Sequence, residues 1–234
     1  MASTPRTDGA RALDAATVSA ALDAALQTVQ RNITLHGDAY PDDTTRGDRY
    51  QIRPAIPGFP VGANRGWTTS FWVGQQWLAW ELTGDEQYRA AAQRHAVDFA
   101  QRVRAEHDLD THDLGFLYSL GSLTAARLAE SEAERADARD AGLDAAEHLM
   151  RRFLEPAGII QAWGDLSDPQ QSGRTIIDSL MNMPLLTWAH EQTGDERFAD
   201  AVRRHTAQLR EHILRPDNST FHTFYWDTVT GEPL

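Results

Sequence analysis

The chain has 234 residues, 41% hydrophobic and 24% charged, with a net charge of -12, which suffices for a sizeable buried core and reads as one domain over 1-234. The acidic balance, with 22 arginines and no basic stripe, excludes a nucleic-acid binder, whose partner's phosphates demand a cationic face. With no cysteine, disulfides, thiol nucleophiles and thiolate zinc sites are excluded as well.

The N-terminal stretch MASTPRTDGARALDAA lacks the apolar core of a signal peptide, and nowhere does an apolar run reach membrane-spanning length. A cytoplasmic protein without a membrane partner is therefore expected. A first helix is expected from about Ala15 to Leu35. Residues 37-63, rich in Asp, Pro, Gly and Arg, read as a long irregular loop feeding the first inner helix. That helix carries Phe71, Trp77, Leu78 and Leu82 and stops at Thr83-Gly84. Gly84 suits a left-handed C-cap, and Asp85 suits the N-cap of the Ala-rich amphipathic helix that follows.

Next comes THDLGF, Thr111 to Phe116, an acid beside a histidine at the start of an apolar helix. Asp113 is either the N-cap of that helix or one half of an acid pair. A further helical pair surrounds Ala133, and the short runs IIQAW and TFHTFYWDT read as loop edges or a small hairpin. In RTIIDSLMNMPLLTW, Arg174 to Trp188, Asp178 is expected within an otherwise apolar helix. Burial there raises a carboxyl pKa and favours the protonated form that a general acid requires. Asn182, one turn on, would face it; alternatively Asp178 pairs with Arg174 four residues back and is structural. Should both acids head inner helices, a ring brings them to one mouth.

The segment TGDEQYRAAAQRH from Thr83 recurs as TGDERFADAVRRH from Thr193, 110 residues later, with seven identities in thirteen positions. RDAGLDAAEHL, which carries His148, falls about midway. The period is thus a helical hairpin of about 55 residues, one helix nearly all apolar and one amphipathic, which predicts an all-α toroid of hairpins. The chain holds about three and a half to four such units where a closed ring of six would need roughly 330 residues. Its turn-rich ending, where more helices are expected, makes an incomplete ring the expectation, with exposed inner helices that promote self-association.

Of the seven tryptophans, Trp72, Trp77 and Trp188 lie in helical periodicity and read as core, whereas Trp67 and Trp163 lie in loops at helix approaches and suit sugar platforms. His95, His148 and His205 occupy equivalent repeat positions and read as structural or solvated. No metal-binding spacing, phosphate loop or serine elbow is present, so neither metal nor cofactor is expected.

The motifs WTTSFWVGQQWLAWELTGD, HDLGF, IIQAWGD, GRTIIDSLMNMPLLTWAHEQTGD and STFHTFYWDTVTG, in order from about Gly66 to Gly231, resemble unsaturated glucuronyl hydrolases, glycoside hydrolase family 88. The resemblance implies a six-hairpin (α/α) barrel of which this chain holds about four hairpins. It implies release of the 4,5-unsaturated uronic acid from lyase-generated glycosaminoglycan oligosaccharides by hydration of the enol ether. It assigns Asp178 as general acid and then base, Asp113 as second carboxylate, and Trp67, His112, Trp163 and His222 as substrate contacts. Where the family shows Gly in its T.GFW motif, this chain has Ser70, and family members continue past Gly231 through about two more hairpins. A related rhamnogalacturonyl hydrolase acting on pectin fragments, and an inactive helical-hairpin binding or assembly module, are the alternative functions. The oligomeric state is open.

Overall fold

Capping chemistry sets the helix boundaries in the computed structural model, which describes residues 14-168 and 171-234; the leader reading of residues 1-13 lies outside these. Helix α1, Ala15–His36, starts where the Asp14 carboxylate accepts the Thr17 N–H. Helices α2, Thr69–Thr83, and α3, Glu86–Arg104, are joined by the expected stop: Gly84 is left-handed at φ 69°, and Asp85 accepts the Gln87 N–H. The repeat does the same between α7, Met183–Thr193, and α8, Glu196–His212, with Gly194 at φ 73° and Asp195 accepting from Arg197.

The middle hairpin departs from a plain helix pair. Its inner strand of chain runs as α4, Leu114–Tyr118, a π-helical stretch Ser119–Leu123, and α5, Thr124–Leu128. The Thr124 hydroxyl donates to the Ser119 carbonyl at 3.1 Å, and Gly121 lets the Phe99 ring close in. A Ser131/Glu134 capping box then starts α6, Glu132–Met150.

α2, α4 and α7 lie side by side, with α3, α6 and α8 packed behind them, so α1 and three hairpins form an (α/α) toroid arrangement. Trp77, Phe99, Leu114, Leu117, Leu149, Leu186 and Phe198 fill the space between the layers, each contributing about 1.5–3 kcal/mol by leaving water. Trp72 and Trp77 are buried and Trp188 packs against the same core, in line with the packing reading. Phe71, Leu78 and Leu82, expected to face inward, are instead exposed, at 38%, 58% and 57%. No described helix is long and apolar enough to cross a membrane.

Residues 37-63 are less irregular than expected. They contain a β-hairpin, β1, Pro41–Arg46, paired with β2, Arg49–Ile52, across a turn in which Gly47 and Asp48 both have φ 58°. Its strands are too polar to show apolar alternation. The hairpin is held by Arg53, buried, which bonds Pro41 O, Asp43 and Thr68 and so ties it to the start of α2. Four shorter strands form two further ribbons: β3, Phe153–Leu154, pairs with β4, Ile159–Ile160, and β5, Arg174–Ile176, pairs with β6, Thr223–Tyr225.

The repeat histidines are structural in a specific way. His95 is buried against the Tyr40 ring, and His205 is buried with Nδ1 accepting the Ile160 N–H at 3.0 Å. Burial pushes His95 down to about 4 and His205 down to about 3. Unfolding lets both take up protons below the ordinary histidine value of about 6.5, so stability is complete above that pH and is lost as pH falls toward 4. The expected loss is on the order of 3 kcal/mol per histidine at pH 4. Thermal melts between pH 7 and 4 check it: His205→Gln should flatten the acid slope, and an unchanged slope refutes the assignment.

Candidate active site

Trp67, His112, Asp113 and Asp178 sit where inner helices begin, Trp163 and His222 lie in strand-flanking loops, and backbone bonds lace these loops together. The His112 N–H donates to the Ala162 carbonyl at 2.7 Å, and the Ala162 N–H to the Arg174 carbonyl at 3.0 Å. The Ile177 N–H donates to the His222 carbonyl at 2.9 Å, extending the β5–β6 ribbon. Thr111 bridges Trp163 in the same way. Residues far apart in the chain thereby share one mouth of the toroid.

Asp178 is not inside a helix. It lies on the turn between β5 and a 3-10 helix, Ser179–Asn182, that leads into α7. The pairing of Arg174–Ile176 with the TFHTF strand overrides helical periodicity there, and Ile177, Leu180 and Met181 are exposed as a result. Asn182 does not face the acid: its Oδ1 accepts the Phe116 N–H at 3.2 Å. Arg174 does not pair with Asp178 either. Its guanidinium carbon lies over the Trp163 ring, 4.2 Å from the centroid, and the group donates to the Trp163 carbonyl. Asp113 holds the N-cap position of α4 without making a side-chain cap bond; its Oδ2 accepts the Thr111 hydroxyl at 2.7 Å.

What joins the two acids is His112. It is 1% exposed, and its Nε2 lies 3.2 Å from Asp113 Oδ1 and 3.6 Å from Asp178 Oδ1. These three donor atoms all fall within 4.8 Å of one another, a spacing that suits one reacting sugar atom or one small cation. Both carboxylates reach solvent, Asp113 at 18% and Asp178 at 35% exposure, so Asp113 is the drier by area. Burial nevertheless raises the Asp178 carboxyl above its ordinary value. The Asp113 charge adds to that rise, while the backbone N–H of Asp178, His222 and a second proton on His112 would each oppose it.

The approach follows from close packing at Gly115. A Cβ there would overlap the Asn182 Cα and stand 2.6 Å from the Asn182 carbonyl oxygen, so only glycine lets α4 and the 3-10 helix abut. The sequence carries no signal for the reason of this glycine, nor for Thr111 or Ser179, because no periodicity marks any of the three.

The remaining candidates rim the pair. Trp67, 47% exposed, meets Phe71 and Phe116 at ring distances of 6.1 and 6.0 Å. Trp163, 39% exposed, is held from behind by buried Gln161 and Arg152, which bond the carbonyls around it. His222 is exposed with Nδ1 2.8 Å from the Thr223 hydroxyl. Ser70, the departure from the motif, is buried and donates to the Phe116 carbonyl at 3.0 Å, so its extra atoms tie α2 to α4.

A family model described as Glycosyl Hydrolase Family 88 matches residues 46–231. An unsaturated glucuronyl hydrolase from Bacillus sp. (strain GL1) is 42% identical over 210 residues, 90% of this chain and 52% of that protein. The crystal structure of unsaturated glucuronyl hydrolase from Streptococcus agalactiae superposes with a TM-score of 0.86 at 37% identity, covering 96% of this chain and 53% of that one. An Asp-to-Asn mutant of the S. agalactiae enzyme, complexed with dGlcA-GalNAc6S, aligns with a TM-score of 0.75 at 33% identity, over 97% of this chain and 51% of that one. The chain spans about half the length of the relatives it matches.

Proposed function

As the chain belongs to Glycosyl Hydrolase Family 88, we propose that its acid pair releases 4,5-unsaturated uronic acid from the non-reducing end of glycosaminoglycan fragments by hydrating the enol ether. The observation that carries the reading is the meeting of Asp113 and Asp178 on one imidazole nitrogen at an open mouth. The substrate class follows the relatives, one of which was crystallised with dGlcA-GalNAc6S.

Asp178, whose carboxyl is raised by burial, holds the proton. The alkene π electrons take that proton at C4, leaving oxocarbenium character at C5. The Asp178 carboxylate then accepts a proton from water as the water oxygen bonds to C5. The hemiketal so formed opens to a C5 ketone, and the C1 hemiacetal left behind expels the aglycone alcohol. Because no glycosidic carbon is attacked, carboxylate-separation rules for retaining and inverting glycosidases do not apply. Asp113 supplies the neighbouring charge that favours a protonated Asp178, and Trp67 and Trp163 offer ring faces to the sugar.

Incubation with dGlcA-GalNAc6S should remove the ultraviolet absorbance of the conjugated double bond and release the free amino sugar. Absorbance that stays constant while equilibrium dialysis detects the bound disaccharide would overturn the catalytic reading and leave a carbohydrate-binding module. Parallel incubation with an unsaturated galacturonyl-rhamnose disaccharide separates the glycosaminoglycan assignment from a pectin one.

A further inference from the structure

Ser179 follows the proposed acid directly and is fully buried, yet no step above employs it. Its hydroxyl oxygen accepts the Ile176 N–H at 3.2 Å and stands 3.4 Å from His112 Nδ1. On the far side of the same ring, Nε2 faces Asp113 at 3.2 Å and Asp178 at 3.6 Å, while no hydrogen-bond acceptor is aligned closely enough to claim it outright.

A neutral imidazole carries one N–H, and the bond made by one nitrogen decides which nitrogen that is. With the proton on Nδ1, the Nε2 lone pair would point at two carboxylate oxygens from a buried ring, an arrangement of like charges. With the proton on Nε2, the N–H points between those oxygens, and the Nδ1 lone pair is free to accept. Ser179 is placed to supply the complementary proton: one of its lone pairs is occupied by the Ile176 N–H, leaving its O–H to donate. The other titratable group acting on this ring, His205 from α8, is itself neutral and held from Ile160, so it brings no charge that would reverse the choice.

We propose that Ser179 is a positioning residue whose hydroxyl donates to His112 Nδ1, holding the ring as the Nε2–H tautomer that bridges Asp113 and Asp178. In that state His112 sets the spacing of the two carboxylates across its Nε2–H. The kinetic consequence rests on the hydration reaction proposed above, but the tautomer itself does not.

Nitrogen-15 correlation spectra of labelled histidine test it. In the wild-type chain His112 should show a bare Nδ1 and a protonated Nε2. In Ser179→Ala it should show a mixture or the reverse, and Ser179→Thr, which keeps the hydroxyl, should restore the original pattern. His205, fixed independently by Ile160, should show one tautomer in all three chains and so reports that the fold is intact. Should Ser179→Ala not fold, Ser179→Cys, with only a weak thiol donor, makes the same comparison. A protonated Nδ1 on wild-type His112, or a His112 pattern indifferent to the alanine change beside an unchanged His205, would overturn the proposal. In turnover, Ser179→Ala should lower kcat about tenfold with little change in KM. A wild-type chain with the stated tautomer and no turnover would sink the reaction while leaving the positioning role intact.

Discussion

Replacing Asp178 by asparagine is expected to lower turnover of an unsaturated disaccharide by about 10²–10⁴-fold, the range that loss of a positioned general acid produces. Asparagine matches the carboxyl in size but has no acidic proton to place on C4 and cannot accept one from water. Asp178 makes no cap bond and, among the described residues, no ion pair with arginine, so the exchange removes little that holds the fold. Disaccharide affinity and melting temperature should therefore stay close to wild type, measured by calorimetric titration and thermal denaturation. Turnover within tenfold of wild type would show the carboxyl to be a bystander. Asp113→Asn makes a graded comparison, since it removes a charge that raises the Asp178 carboxyl while leaving Asp178 itself in place.

Gly115→Ala should have the second-largest effect. Ordinarily alanine gains up to about 1 kcal/mol over glycine in a helix, so a neutral or stabilising change would be the default. Here the added methyl would occupy space already filled by the Asn182 backbone, and overpacking of that kind costs about 1–3 kcal/mol or more. The clash outweighs the propensity. Because Asn182 closes the 3-10 helix that begins beside Asp178, the strain is relieved by moving the second acid away from the first. A displacement of about 1 Å in such a site costs on the order of 10²-fold in rate. Gly74→Ala on α2 is the control, since its new methyl would meet Leu120 at an ordinary 3.5 Å and should leave both rate and stability near or above wild type. Equal behaviour of the two variants in melting and turnover would refute the close-approach argument.

Much of the architecture was legible because it depends on local chemistry. The two TGD stops need only a left-handed glycine and an aspartate cap, both decided within a few residues. The hairpin period followed from them, and the motif order carried the family resemblance. The β1–β2 ribbon was hidden because its strands are polar on both faces and are held by a buried arginine rather than by apolar alternation. Asp178 reads as helical in the sequence for the opposite reason: the run from Arg174 to Trp188 does carry helical periodicity, but its first residues pair instead with Thr223–Tyr225. A hydrogen-bond partner nearly fifty residues away outweighed a weak local preference.

The sequence by itself determined the capped helical hairpins, the burial of Trp72 and Trp77, and the identity of two acids and a histidine worth watching, since these follow from residue type and near neighbours. Only the tertiary structure decided that His112 stands between Asp113 and Asp178, that Ser179 touches the other side of its ring, and that Gly115 must lack a side chain. The physical reason is that distances between helix starts are set by backbone contact across the ring, through bonds such as Phe116 to Asn182 and His112 to Ala162, and no stretch of local sequence encodes such a contact.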